Sequence, residues 1–155
     1  MMTDRGICVD ANVFVAALCP EEKGYAVASK LIRSAVDQDF FFWEPEILLF
    51  EVGTALYRKK GNKDLSASEV DGLLNLLFDL PLIFKWEADL MRRSYEIAEK
   101  FSERGIADPS YLAVAEKQKI PLITLDEILL KRGKEIFPKI FSPEQFLKIN
   151  SLAVS

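Results

Sequence analysis

Gly6-Ile7-Cys8-Val9-Asp10-Ala11-Asn12 is the stretch whose reading decides the fold. Isoleucine and valine mark a buried first strand, and Asn12 to Leu18 reads as a short apolar helix entered through Asp10. The same step from apolar strand to helix recurs along the chain. Tyr25 to Val36 is helical by the spacing of Ala28, Leu31, Ile32 and Ala35. Phe40-Phe41-Phe42-Trp43 is a β-rich run stopped by Glu44-Pro45, and a long helical pattern then runs from Glu46 to Lys60, ending near Gly61. Ser66-Ala67-Ser68-Glu69 has capping-box spacing and opens a helix through about Phe78. Pro81 to Phe84 is a third strand, Glu87 to Arg104 a long amphipathic helix closed by Gly105, and Pro109 to Lys119 a helix with Asp108 as its expected N-cap. Pro121 to Thr124 is the fourth strand. A short helix then follows Asp126 to about Arg132, Lys139-Ile140-Phe141 reads as a fifth strand, and Ser142-Pro143-Glu144-Gln145 caps a last helix.

Such alternation implies parallel strands joined by right-handed crossovers. The expected fold class is therefore α/β, a three-layer sandwich with a central, mainly parallel sheet of four or five strands. At 155 residues and 50% hydrophobic, the chain is expected to form one domain over 1–150 with a tail at 151–155. The start lacks a signal-peptide pattern and no apolar run approaches the roughly 18 residues that span a bilayer. A cytoplasmic location with no membrane partner is the expectation. Cys8 and Cys19 fall at opposite ends of a strand–helix step, too far apart for a disulfide, and two cysteines without any histidine cannot make a zinc site.

Four acids stand where strands or turns give way to helices, or on a helix stripe: Asp10, Glu51, Asp108 and Asp126. In an open parallel sheet the carboxyl ends of the strands share one rim, so acids remote in sequence can meet there. Taken singly, Asp10, Asp108 and Asp126 are each explained as helix caps. Glu51 is not, because Ile47, Leu48, Thr54 and Ala55 surround it on its helix and place it in the apolar stripe. A buried carboxylate needs a partner, and histidine is absent. Were the four about 6 Å apart, each pair would repel by roughly 3 kcal/mol at an effective dielectric near 20. The total would rival the whole stability of a domain, about 5–15 kcal/mol. Acids that converge must therefore bind a cation or share protons, and an all-oxygen donor set selects hard ions such as Mg²⁺ or Mn²⁺.

The 24 acids outnumber the 20 bases, which argues against a nucleic-acid partner until the rim acids are set aside, when the two become equal. Divalent ions at that rim would turn the local field positive for phosphate. The basic runs Arg58-Lys59-Lys60-Gly61-Asn62-Lys63 and Lys131-Arg132-Gly133-Lys134 are read first as solvated helix ends.

Asp10-Ala11-Asn12, the glutamate of Pro45-Glu46-Ile47-Leu48-Leu49-Phe50-Glu51-Val52, Ala107-Asp108-Pro109-Ser110-Tyr111-Leu112-Ala113-Val114-Ala115 and Pro121-Leu122-Ile123-Thr124-Leu125-Asp126 together resemble the PIN-domain nucleases. The resemblance covers nearly the whole chain. It implies a Mg²⁺- or Mn²⁺-dependent ribonuclease, often the VapC-type toxin of a toxin–antitoxin pair, with Asp10, Glu51, Asp108 and Asp126 as metal-binding acids. Asn12 and Thr124 match polar positions of the same motifs and are expected to support them. It also implies an RNA substrate, a protein antitoxin and a homodimer. The chain departs from many such toxins in one respect, since Asp126 follows Thr124 by two residues rather than several, and Glu127 is an alternative ligand.

The absence of histidine excludes an imidazole acid–base pair and Ser-His-Asp catalysis. Two rivals are carried forward. One makes Asp10 a nucleophile forming an aspartyl phosphate; the other makes the chain a non-catalytic binding module whose acids only cap helices.

Overall fold

The computed structural model describes residues 5–101 and 105–154. Five parallel strands form one sheet in the order β3-β2-β1-β4-β5: β1 (Gly6–Val9), β2 (Phe41–Pro45), β3 (Leu82–Lys85), β4 (Leu122–Ile123) and β5 (Ile140–Phe141). The chain winds outward from β1 through β2 to β3, then crosses to the other side for β4 and β5. The reversal falls between β1 and β4, and this is the position where an open α/β sheet leaves a crevice at its carboxyl edge.

Helices cover both faces, so the strands are apolar on both sides, and Ile7, Cys8, Val9, Leu122 and Ile123 are all fully buried. On one side α1 (Ala11–Leu18) packs on α2 (Tyr25–Asp37) and α3 (Ile47–Gly61), α3 packs on α4 (Ala67–Phe78), and α2 packs on α8 (Pro143–Val154). On the other, α5 (Ala88–Phe101) packs on α6 (Ala107–Gln118), which lies on β1, β2 and β4. A bidentate ion pair ties those two helices, Arg93 Nε and Nη2 donating to the two oxygens of Glu116 at 2.7 and 2.9 Å. Phe14 of α1 meets Phe42 of β2 with ring centroids 5.8 Å apart, joining helix to sheet by a tilted aromatic contact. The short α7 (Glu127–Arg132) and a 3-10 turn at Gly133–Glu135 lead into β5.

Local signals act where the sequence places them. Ser66 and Glu69 form the reciprocal capping box, with Ser66 N–H donating to Glu69 Oε2 at 2.6 Å and Glu69 N–H to Ser66 Oγ at 3.1 Å. Ser142 and Gln145 repeat it at α8. The basic runs sit in the last turns of α3 and α7, as solvated helix ends should. Lys59 pairs with Glu21 and Glu22, while Arg132 donates to the carbonyls of Phe101 and Lys100. Both cysteines are free and buried.

Two elements differ from expectation. Residue Asp108 is not the N-cap of α6: Ile106 takes that place in helical geometry, and the helix already includes Ala107 and Asp108 in its first turn. Strand β2 does not stop before Glu44-Pro45 but runs through both, pairing Glu44 with Phe84 and Pro45 with Lys85. Proline is tolerated because Phe42 N–H bonds the carbonyl of Pro81, just ahead of β3, so alternate amides face β3 and the nitrogen of Pro45 faces the side where β1 pairing has ended.

Gly6 is required by close approach, since a methyl group there would lie 2.8 Å from Cδ1 and Nε1 of Trp43 and 3.1 Å from Cγ2 of Ile120. The same indole is held on its face by Lys85 Nζ, 4.8 Å from the ring centroid. Gly6→Ala is expected to destabilise the fold by about 1–3 kcal/mol, as a core overpacking change does. Urea unfolding at constant m-value checks this; an unchanged midpoint would contradict the packing described.

Candidate active site

Asp10 leaves the carboxyl end of β1 only 4% exposed. It stands at the N-cap of α1 but makes no side-chain cap bond, so its carboxyl is not spent on the helix. Instead Thr124 Oγ1–H donates to Asp10 Oδ2 at 2.8 Å, while Asp126 N–H donates to the same hydroxyl oxygen at 2.9 Å. One threonine thus joins the end of β1 to the turn after β4. Asn12 locks the same junction from α1, its Oδ1 accepting Leu125 N–H at 3.2 Å.

Glu51 projects from α3, half-buried, and its partner is a phenol rather than a cation. Tyr111 Oη–H donates to Glu51 Oε1 at 2.6 Å. Tyr111 is fully buried on α6, one turn along from Asp108, so this bond spans from α3 on one side of the sheet to α6 on the other. Asp126 does cap, with Oδ1 accepting Ile128 N–H at 2.8 Å and Leu129 N–H at 3.1 Å. Of the three aspartates that capping alone would explain, only Asp126 therefore caps with its side chain. Glu127 follows it on the exposed start of α7.

The carboxyls feel one another. Burial pushes the Asp10 carboxyl up to about 7 from its ordinary 3.8; the Thr124 hydrogen bond opposes this, and the charges of Asp108, Glu51 and Asp126 add to it. Burial also raises Glu51, with the Tyr111 bond opposing and the Asp108 charge adding. Asp108 is raised by burial and by the Asp126 charge. Acids from β1, α3, α6 and the β4–α7 turn thus share one field at the crevice between β1 and β4.

No three acidic or sulfur side chains among the described residues are set close enough to grip one ion as they stand. The donor set nonetheless has the chemistry of a hard-cation site: carboxylate oxygens only, mutually repelling, and held by hydroxyl groups rather than by bases. Beside it, a cleft of about 350 Å³ is lined by Phe50, Lys85, Trp86, Leu90, Met91 and Ala107 among others, so it borders the chain neighbours of Glu51 and Asp108.

One acid of this region escapes sequence reasoning. Glu44 is fully buried in β2, and Val9 N–H donates to its Oε1 at 2.7 Å. Burial holds its carboxyl well above the usual range, and the Asp10 charge pushes the same way, against the Val9 bond. The Cys8 thiol lies between two acceptors, Glu44 Oε2 at 3.8 Å and the carbonyl of Tyr111 at 3.5 Å, and so links the Glu44 carboxyl to the backbone of α6. The signal lay in the period of β2, where Phe42 and Glu44 are buried and Phe41 and Trp43 are half-buried.

Comparison with known proteins agrees with this geometry. The PIN domain family model matches residues 7–135, and the chain belongs to that family, the nuclease family its motifs resemble. Among solved structures it is similar to the VapC20 toxin of Mycobacterium tuberculosis, described as cleaving the sarcin-ricin loop, with a TM-score of 0.64 and 18% identity over 82% of this chain and 95% of that one. It is similar to VapBC2 from Rickettsia felis, solved with a promoter DNA fragment, at a TM-score of 0.59 and 14% identity over 88% and 96%. FitAcB from Neisseria gonorrhoeae matches at 0.59 and 16% over 88% and 97%. No curated protein matches the sequence.

The raised Asp10 pKa has a definite sign. A carboxyl near 7 in the folded chain and 3.8 when unfolded lends stability that is complete below about pH 4 and is lost as pH rises through 7. Asp10→Asn, which stays neutral, is therefore expected to stabilise the metal-free protein at pH 8 by up to about 4 kcal/mol and to change it little at pH 4. Thermal melts of both proteins in chelator across this range check it; equal pH dependence would contradict the buried charge.

Proposed function

We propose that this protein is a Mg²⁺- or Mn²⁺-dependent ribonuclease that hydrolyses RNA phosphodiester bonds as the toxin of a toxin–antitoxin pair. The observation that carries the reading is that the charges of Glu51, Asp108 and Asp126, from three other elements, all bear on the buried carboxyl of Asp10 at the sheet's switch point, with threonine and tyrosine as the hydrogen-bond partners of Asp10 and Glu51. A bound divalent ion would supply an activated water and a Lewis acid for phosphate. Every other part belongs to the chain. Thr124 fixes one oxygen of Asp10, Oδ2, and leaves Oδ1 outside that bond. Tyr111 fixes one oxygen of Glu51 in the same way. Asp126 spends Oδ1 on the α7 amides and keeps Oδ2. Asn12 and Thr124 serve as supports, holding the β4 end against α1. Asp10 and Asp108 are the first choices for direct ligation, with Glu51 and Asp126 acting directly or through water.

For partners, the supporting facts are the solved complexes of similar fold and the exposed apolar side chains. VapBC2 was solved as a complex, and FitAcB shares the fold. On this chain Phe50 is 72% exposed and Trp86 64%, and they line one cleft with Met91 of α5, while Tyr95 of the same helix is also exposed. Leu76 and Phe78 of α4 are also exposed, while Leu77 of the same helix is core. Such faces suit a protein antitoxin and a second copy of the chain. No helix among the described residues is long and apolar enough to cross a membrane, and a cytoplasmic site of action fits the RNA substrate.

Asp10→Asn and Asp108→Asn are expected to reduce Mn²⁺-dependent cleavage of a structured RNA below detection while the circular dichroism spectrum stays native. Tyr111→Phe, which frees Glu51 without removing it, is expected to lose activity by about tenfold. Single-turnover cleavage of labelled RNA with Mn²⁺, and again with chelator, checks these. Full activity in chelator or in Asp10→Asn would sink the nuclease reading.

A further inference from the structure

Backbone pairing between β1 and β2 is registered at Gly6 with Phe41 and Ile7 with Phe42, whereas β2 stays paired with β3 as far as Pro45 and Lys85. Beyond Ile7 the two central strands therefore part. On its other edge β1 remains bound to β4, Cys8 N–H donating to Pro121 and Asp10 N–H to Ile123, each at 2.9 Å. Alternation then turns the intervening amide, that of Val9, toward β2. A buried N–H without an acceptor is costly. Glu44 supplies the acceptor from its side chain: Oε1 receives Val9 N–H at 2.7 Å.

We propose that Glu44 is a positioning residue for the acid cluster, its side-chain carbonyl replacing the main-chain acceptor that β2 withholds from Val9 and so fixing the end of β1 from which Asp10 projects. The inference rests on the nuclease reading, because what Glu44 positions is the cluster assigned to metal binding. Two further features carry it. Glu44 is fully buried although no lysine or arginine pairs with it among the described residues. Its second oxygen and the Cys8 thiol continue the contact to the backbone of Tyr111, whose phenol holds Glu51. One buried side chain thus braces the supports of two acids, Asp10 through Val9 and Glu51 through Tyr111. The need is for a neutral group with a carbonyl oxygen at this point, since a second carboxylate would add to the charge already around Asp10.

That requirement separates two substitutions. Glu44→Gln keeps the carbonyl oxygen for Val9 and offers an N–H to Cys8, while Glu44→Leu keeps the volume and removes the acceptor. Titration of Mn²⁺ into each full-length variant, followed by manganese electron paramagnetic resonance, is expected to give a dissociation constant within about threefold of wild type for Glu44→Gln and at least about tenfold weaker for Glu44→Leu. Amide exchange on the wild type should show Val9 protected like Cys8 and Asp10. A folded Glu44→Leu protein with unchanged Mn²⁺ affinity, a folded Glu44→Gln protein as impaired as Glu44→Leu, or rapid exchange at Val9 would each overturn the proposal. If Glu44→Leu does not fold, Glu44→Gln and the Val9 amide decide it. If the wild type itself binds no Mn²⁺, the metal assignment fails, and Val9 exchange alone then reports whether Glu44 holds the end of β1.

Discussion

Asp10 is a carboxyl buried where a parallel sheet divides, and the arrangement around it can be understood as the means of keeping it there. Isolated burial of a carboxylate would cost several kcal/mol or force protonation. The Thr124 hydroxyl lowers that cost, and the neighbouring acids raise it again. A fold selected only for stability has no reason to bring further carboxyls toward the same point. The chain accepts an unfavourable field locally, at the end of strands β1 and β4 whose Ile7, Cys8, Val9, Leu122 and Ile123 are otherwise fully buried.

The topology explains why those acids meet. With β1 central and the chain winding first to β3 and then back to β4, the ends of β1 and β4 become neighbours, although 113 positions separate Val9 from Leu122 in the chain. Helices α3 and α6 approach the same edge from opposite faces, and the Tyr111–Glu51 bond joins them across it. Each acid is carried by a different element, so the spacing among them depends on the sheet as a whole. The supports are hydroxyl and amide groups, which hold carboxylates in place without neutralising them.

Much of this was legible because the elements obey local rules. The capping boxes at Ser66 and Ser142, the apolar strands and the helical stripe of α2 all say in sequence what they do in space. The position of Asp108 was legible as a helix start but not its role as a first-turn residue. Ile106 has αR geometry, its carbonyl accepts Ser110 N–H, and the Ser110 hydroxyl bonds the Ala107 carbonyl, so the helix begins ahead of Pro109. Glu44 was obscured because proline beside it signals a strand stop, and the reason that signal fails is tertiary: the edge on which Pro45 lacks an N–H faces a gap in the ladder. Nor could a one-chain pattern reveal that Tyr111, an apolar-stripe residue of α6, lends its hydroxyl to Glu51.

The central claim is that these acids form a cation site, and proton-linked calorimetry tests it most directly. Manganese is titrated near pH 7 into the full chain in two buffers of different ionisation enthalpy. With Asp10 near 7 in the ion-free protein, binding should release a substantial fraction of a proton, and the measured enthalpy should differ between the buffers accordingly. Absence of binding, or binding with no proton release that persists in Asp10→Asn, would contradict the account.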